Sequence, residues 1–582
     1  MKYVDRSTGT PLCAASTRSS LDNLTGSWRF GRPVFVDRVS PCNQQCPAGE
    51  DIAGTLFLAG QGRYEDAWRM IMRENPFPAI MGRVCYHTCE RSCNRAEHDE
   101  AVSIHCIERF LGDLALERGL QVEPLPEPDG KRAAVVGAGP AGLSAAYFLR
   151  RLGNDVTVYD AMDRPGGLMR YGIPAYRLPR DVLDGEIERL ARMGIRFETG
   201  RALGGELDVE SLTAENDAVF LAIGAHGERR LGLEGEGLEG VHRALRFLER
   251  VAEGEPPEVG RSVAVIGGGN SAVDCARVCR RLGADVTVFY RRSEREMPAH
   301  AEEVAAAREE GVAFEFLCAP SAILGESAAT GVRFSRMRLG SPDATGRCRP
   351  EATGESFDVA CSGVIPATGE FPDPVPVPAE IRGPDGAAQA DPFGRTRLDK
   401  LFAGGDLVPI QRTVTHAVGS GKRAAAAMDA FMRGAPDRVE TLFRWGSEGN
   451  ITLDLPGDGG LFPRRNPEAR VVGYDALNPF YFDRRPALKA EEVPPGKRLP
   501  GFDEVVCGAG EEAVLREARR CFGCGSCTDC GNCFIFCPDL SIRKDPGGFG
   551  YEVNLDYCKG CGICVQECPR GAMTVSYPEG DS

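Results

Sequence analysis

The residues best suited to chemistry are the cysteines. The chain of 582 residues has 23 of them, with seven in residues 1–106, five in 275–361, one at 507 and ten in 521–568. Tight clustering and an odd total make a poor disulfide framework and a good set of metal ligands. Two tetrads stand out, Cys527-x2-Cys530-x2-Cys533-x3-Cys537-Pro and Cys558-x2-Cys561-x2-Cys564-x3-Cys568-Pro. This spacing lets three thiolates wrap one iron–sulfur cubane while the fourth, before proline, reaches the neighbouring one. One cluster is expected on Cys527, Cys530, Cys533 and Cys568, and the second on Cys558, Cys561, Cys564 and Cys537. Zinc also takes Cys-x2-Cys pairs, but one tetrahedral ion needs four ligands and does not account for two Cys-Pro tetrads. The other cysteine group is less regular: Cys42-x3-Cys46-Pro, then Cys85-x3-Cys89-x3-Cys93.

A second kind of chemistry lies in the glycines. The apolar run Ala133–Val136 leads into Gly137-Ala-Gly139-Pro140-Ala141-Gly142 and a helix-forming stretch. In such a turn the first glycine makes the bend, the second admits a pyrophosphate and the third lets helix pack on strand. Asp160, after VTVY, stands where a carboxylate would meet a ribose hydroxyl. The unit recurs as SVAVIGGGNSAVDCARVCRRLGADVTVFYRR, with Gly267, Gly269 and Ala272 at the glycine positions and Asn270 and Ser271 between them. Its second strand ends in Arg291 and Arg292 rather than an acid. Guanidinium groups pair with a 2′-phosphate that a carboxylate would repel, so NADPH is favoured, with NADH possible. Two units suggest one site for a flavin nucleotide and one for a nicotinamide. A later segment, Leu401-Phe-Ala-Gly404-Gly405-Asp406 followed by Thr415-His416-Ala-Val-Gly-Ser-Gly-Lys, resembles a part of two-dinucleotide-domain flavoproteins. The resemblance implies that Asp406 meets the flavin's ribityl chain and that Thr415 begins a helix aimed at the isoalloxazine. His416 is either near that ring or an ordinary helix-start histidine. Residues 107–274 contain no cysteine, and Cys275 and Cys279 sit four apart on a helix, which reads as packing rather than a redox disulfide.

The elements that must position these groups are legible in outline. Residues 1–40 read as an irregular extension, mobile or docking. Residues 41–126 carry helical periodicity (Ala53, Leu56, Ala59, then Tyr64, Ala67, Trp68, Ile71) and form a helical iron–sulfur domain. Alternating strands and helices follow: 127–232 as the first part of an FAD-binding domain, 233–366 as an inserted NAD(P)-binding domain, and 367–435 as the second FAD part. Residues 436–518 are Pro/Gly-rich and read as a linker or strap, and 519–582 as an α+β ferredoxin-like domain with two clusters. The expected class is thus an α/β flavoprotein with two Rossmann-like domains flanked by iron–sulfur domains. The net charge of −15 argues against nucleic acid or an anionic membrane surface as a partner. No apolar run nears the ~20 residues of a membrane span, and the opening MKYVDRSTGT lacks a secretory pattern. A soluble, cytoplasmic protein is expected.

Several stretches together resemble the glutamate synthase small (beta) subunit and dihydropyrimidine dehydrogenase. They are the cysteine segment from Cys42, GAGPAGL, GGLMRYGIPAYRLP with Gly166, Gly167 and Leu168, GGGNSAVDCA, YRRSEREMPA and AGGD. The resemblance runs through most of 41–435 and implies FAD, NADPH and two further [4Fe–4S] clusters. Those relatives have an extra Cys-x2-Cys-Gly upstream of the first motif, whereas residues 14–41 here contain no cysteine. By the family's motif, one cluster would use Cys46, Cys85 and Cys89 with a non-cysteine fourth ligand, for which Glu108 is the candidate and Cys106 its competitor. The other would retain only Cys42 and Cys93. The spare Cys521 and Cys524, in EARRCFGCG, resemble the missing motif displaced along the chain, and are expected to complete that cluster. The alternative is that this cluster is absent and the pair is free or binds another metal, so that the N-terminal domain holds one cluster instead of two.

These parts predict an oxidoreductase in which flavin mediates between a two-electron hydride donor and one-electron clusters. Hydride transfer requires no acid–base pair, so no catalytic side chain is singled out. The electron partner is expected to be ferredoxin or a redox enzyme. VNLDYCKGCGICVQECPRGAM resembles the ferredoxin subunit of 2-oxoacid oxidoreductases, which is the favoured partner. Alternatives are a dissimilatory sulfite reductase-type system, a glutamate synthase, or a non-catalytic relay subunit.

Overall fold

The computed structural model describes residues 24–342, 348–373, 376–442, 444–445, 450–453, 467–499 and 501–577; Cys13 lies outside them. Its frame is a five-stranded parallel sheet in the order Leu401–Ala403, Ala218–Leu221, Arg132–Val136, Asp155–Tyr159, Arg196–Glu198. Central strands of a parallel sheet are covered on both faces, which is why Ala133–Val136 and Ala218–Leu221 are continuous apolar runs, all buried. A second parallel sheet is ordered Gly363–Pro366, Ser262–Ile266, Asp285–Tyr290, Ala313–Phe316. It lies in sequence between two neighbouring strands of the first sheet, as an inserted nucleotide-binding unit requires. An antiparallel sheet of Cys318–Gly325, Ala329–Pro342 and Cys348–Ala360 continues from its last edge. Cys275 and Cys279 are wholly buried on the helix Asn270–Arg281, neither in a disulfide.

The cysteine segment from 41 onward folds as short helices, among them Pro41–Gln45, Ile52–Gly60, Tyr64–Met72, Pro78–Val84 and Ile104–Glu117. Trp68 is buried at their centre, with the Arg189 guanidinium 5.5 Å over its ring. The cysteine-rich far end has two one-turn helices, Asn532–Ile535 and Ile563–Gln566, and a small hairpin. Its last strand, Met573–Ser576, pairs antiparallel with Arg32–Phe35. Part of the extension expected over 1–40 therefore docks on the opposite end of the chain.

The segment 467–510 is mostly irregular and wraps the molecule. Val39 bridges Val471, and Val505 donates its N–H to Tyr176 O at 3.0 Å. The helix Glu511–Ala518 then packs on Ile52–Gly60. The buried Glu517 carboxylate knots these parts together. It accepts from Ser103 N and Leu488 N, each at 2.8 Å, and from Arg520 at 2.6 Å. No helix among the described residues is long and apolar enough to cross a membrane.

Replacing Glu517 with Ala removes the acceptor of two N–H groups and leaves Arg520 with Asp99 as its ionic partner, at a cost of about 1–3 kcal/mol. The expected outcome is a lower thermal midpoint and faster proteolytic cleavage within 467–520. An unchanged midpoint would show that the knot is dispensable.

Candidate cofactor cavity and cysteine cages

Both glycine turns open on one cavity of about 960 Å³. Gly137 and Gly139 line it from one side and Gly267 and Gly269 from the other, each pair at the N-terminus of a helix, Pro140–Arg151 or Asn270–Arg281. Helix N-termini present unpaired N–H groups and a partial positive charge, which suits phosphate. The turn tolerates no side chain where it bends: a Cβ on Gly137 (φ 106°) would stand 2.3 Å from Ala222 O, and one on Gly142 1.8 Å from Gly137 O. Gly139 instead faces Gly167 across open space. Pro140, Ala141, Gly167 and Leu168 also line the cavity, whereas Gly166, Gly404 and Ala272 do not.

Asp406 lines the cavity with its Oδ1 buried and without a hydrogen-bond partner. Burial pushes its carboxyl up to about 6. An orphaned acceptor beside a side-chain-free phosphate path fits a flavin nucleotide, whose ribityl hydroxyls would supply the missing donor. Asp160 also lines the cavity, but its oxygens already accept from Ala138 N at 2.6 Å and Met162 N at 2.8 Å. It braces the first turn as much as it faces a ribose. On the second turn, Asn270 accepts from His300 N at 2.9 Å and Ser271 donates to Glu370 at 2.9 Å. Arg291 is exposed on the cavity wall, and Arg292 is steadied by Cys348 O at 2.9 Å.

Thr415 does not face this cavity; Thr413, Val414 and Ala417 do. The Thr415 hydroxyl donates to Cys85 Sγ at 3.2 Å, on the iron–sulfur side of the helix Val414–Met432. His416 serves as part of that helix's cap, with its N–H bonded to Thr413 Oγ1 at 3.2 Å. Thus one helix touches the nucleotide cavity with its first residues and a cysteine cage with the next.

The cysteines gather in four groups. Cys527, Cys530, Cys533 and Cys568 line one small apolar cavity with Phe35, Tyr551 and Met573. Cys564 is pushed up to about 12 by burial and by its neighbours Cys558, Cys561 and Cys537. Cys530 and Cys561 are exposed. Cys46, Cys85 and Cys89 form a third group: burial raises all three thiols, Cys85 adds to the rise at Cys46, and Cys85 and Cys46 add to that at Cys89. Beside them Asn75 Nδ2 donates to Glu108 at 3.0 Å and to Glu50 at 2.8 Å. Burial pushes Glu50 up to about 7. Glu50 was not singled out from the sequence, although it follows Cys46 by four residues. Cys106 is turned onto His105 Nε2 at 3.3 Å. The fourth group is Cys42, Cys93, Cys521 and Cys524.

Comparison with known proteins decides the family. The model of the pyridine nucleotide-disulphide oxidoreductases matches residues 131–421. The chain belongs to this family. A dihydropyrimidine dehydrogenase domain II, 4Fe-4S cluster model matches residues 37–120, and a 4Fe-4S dicluster domain matches 526–572. The chain is accordingly an FAD-type, pyridine-nucleotide-dependent oxidoreductase with 4Fe–4S domains on both sides of its dinucleotide-binding core. The NADP(+)-dependent formate dehydrogenase subunit beta of Moorella thermoacetica is 36% identical over 518 residues, covering 83% of this chain and 70% of that one. The NADPH-Fe(3+) oxidoreductase subunit beta of Geobacter sulfurreducens is 34% identical over 526 residues, covering 84% and 76%. The glutamate synthase [NADPH] small chain of Escherichia coli is 37% identical over 412 residues, covering 66% and 87%, in line with the resemblance to that subunit read from the motifs.

Asp406→Ala removes the orphaned acceptor. Losing a hydrogen bond to a charged group costs about 1.5–3 kcal/mol, so flavin retention should weaken by about 10–100-fold, read as flavin absorbance per chain after gel filtration. Full retention would remove Asp406 from the flavin site.

Proposed function

We propose that the chain is the NADPH-linked electron-transfer subunit of a larger redox enzyme. The observation that carries this reading is the helix Val414–Met432, which borders the two-nucleotide cavity with Thr413 and Val414 and bonds Cys85 through Thr415. When bound, a flavin accepts a hydride as an electron pair and releases electrons singly to iron–sulfur clusters.

The chain's own residues supply the placement. The helix N-termini behind Gly139 and Gly269 hold the pyrophosphates, and Asp406 holds the ribityl chain. Arg291 and Arg292 hold the 2′-phosphate. Names of three relatives specify NADP or NADPH, which supports the same preference. Cys527, Cys530, Cys533, Cys568 and Cys537, Cys558, Cys561, Cys564 are assigned to the two ferredoxin-like clusters, and Cys46, Cys85 and Cys89 to another, with Glu108 or its neighbour Glu50 as the fourth ligand. The exposed Cys530 and Cys561 put the far end of the chain within reach of a partner.

Two relatives that span more than four-fifths of this chain are beta subunits, of a formate dehydrogenase and of an Fe(3+) oxidoreductase. A separate catalytic redox subunit, of formate-dehydrogenase type, is therefore the favoured partner. The 2-oxoacid oxidoreductase expected from the last cysteine segment gains no support from these names. A reducing cytoplasm suits this many thiolate ligands.

The double substitution Arg291→Ala/Arg292→Ala should raise KM for NADPH by about 10–100-fold and leave that for NADH unchanged. An equal loss for both nucleotides would contradict the 2′-phosphate role. Anaerobic purification of the chain from its host, followed by mass spectrometry, should recover a catalytic oxidoreductase subunit at equal stoichiometry; recovery of the chain alone would contradict the subunit reading.

A further inference from the structure

Cys42, Cys93, Cys521 and Cys524 come from opposite ends of the sequence and line one small cavity. Neither matched iron–sulfur model contains all four: the two matches, 37–120 and 526–572, both leave Cys521 and Cys524 outside. We propose that these four thiolates hold a [4Fe–4S] cluster built jointly by the two ends of the chain.

The surroundings are those of a ligating site. The wall is apolar, from Leu56, Val102, Ile104 and Phe522. All four sulfurs have polar neighbours in hydrogen-bond range, Cys93 among them through the backbone of Val102 and Arg95. Gly523 N donates to Cys521 Sγ at 3.3 Å, Asn94 Nδ2 donates to Cys524 Sγ at 3.5 Å, and Ser40 Oγ stands 3.2 Å from Cys42 Sγ. Donors aimed at sulfur favour the thiolate that a metal requires. The donors are themselves held: Asn94 also bonds Val472 O at 3.0 Å. Two guanidinium groups lie close by, that of Arg95 already paired with Asp99. The buried Arg95 guanidinium lies 4.8 Å over the Phe522 ring and bonds Arg520 O at 3.0 Å, and Arg570 bonds Phe522 O.

The same cysteines are not needed elsewhere. Cys527, Cys530, Cys533 and Cys568 enclose their own cavity, and Cys46, Cys85 and Cys89 form their own group. The shared site adjoins both by chain: Cys42 lies on the short helix that ends at Cys46, Cys93 is four residues from Cys89, and Cys524 is three from Cys527. It therefore stands between the flavoprotein cages and the ferredoxin-like end. That junction role rests on the electron-transfer reading above, whereas the metal site does not.

The test is iron and zinc analysis of the full chain purified anaerobically. Cys521→Ser/Cys524→Ser should lose about four iron atoms per chain, with flavin content and its bleaching by NADPH retained. Cys42→Ser/Cys93→Ser should lose the same about four, and the quadruple variant no more than either pair. Unchanged iron, losses that add in the quadruple variant, or loss of zinc in place of iron would each overturn the proposal. Should the variants fail to fold, the unsubstituted chain decides: about sixteen iron atoms per flavin supports the shared cluster and about twelve overturns it. Loss of NADPH bleaching alone, with the iron pattern as expected, would count against the functional reading and not the site.

Discussion

A cage of thiolates fixes in space every segment that lends it a sulfur, and here the segments are spread over almost the whole chain. Cys42 and Cys93 must meet Cys521 and Cys524. That closure accounts for features with no other evident purpose. The strand Arg32–Phe35 pairs with Met573–Ser576, and the helix Glu511–Ala518 delivers Cys521 against Ile52–Gly60. The buried ionic group of Glu517, Arg520, Asp99 and Arg95 holds the same seam. Buried ion pairs of this kind add little net stability but strongly favour one arrangement over others. For a chain of cofactors, arrangement is what matters.

The parallel sheets perform a different task. They bring two helix N-termini to one cavity, where each can meet the phosphates of a nucleotide. The helix Val414–Met432 joins this half to the cages. Its N-cap Thr413 borders the cavity, and two residues later Thr415 bonds Cys85.

Whatever depended on local spacing was legible in the sequence. The cysteine tetrads, both glycine turns and Asp406 are set by a few neighbouring residues; Gly137, Gly139, Gly267, Gly269 and Asp406 line one cavity, and Cys527, Cys530, Cys533 and Cys568 another. The convergence of Cys42, Cys93, Cys521 and Cys524 was legible only through the family resemblance, whose Cys-x2-Cys-Gly is missing from 14–41 and matches the pair Cys521 and Cys524. What depended on packing was not legible. Successive helix residues point about 100° apart, so Thr415 could not be told from its neighbours until the helix was docked. Glu50 meets Glu108 only because Asn75 and the surrounding helices bring them together. Asp160 looked free for a ribose, yet two backbone N–H groups of its own turn had first claim on it.

The central claim is that one chain joins a two-electron nucleotide site to a set of one-electron sites. Its most direct test is to add NADPH to the anaerobic protein in the absence of any partner and follow the absorption spectrum. The flavin band and the broad iron–sulfur absorbance should bleach together, and both should return on adding a one-electron oxidant. Bleaching of the flavin alone, with cluster absorbance untouched, would contradict it.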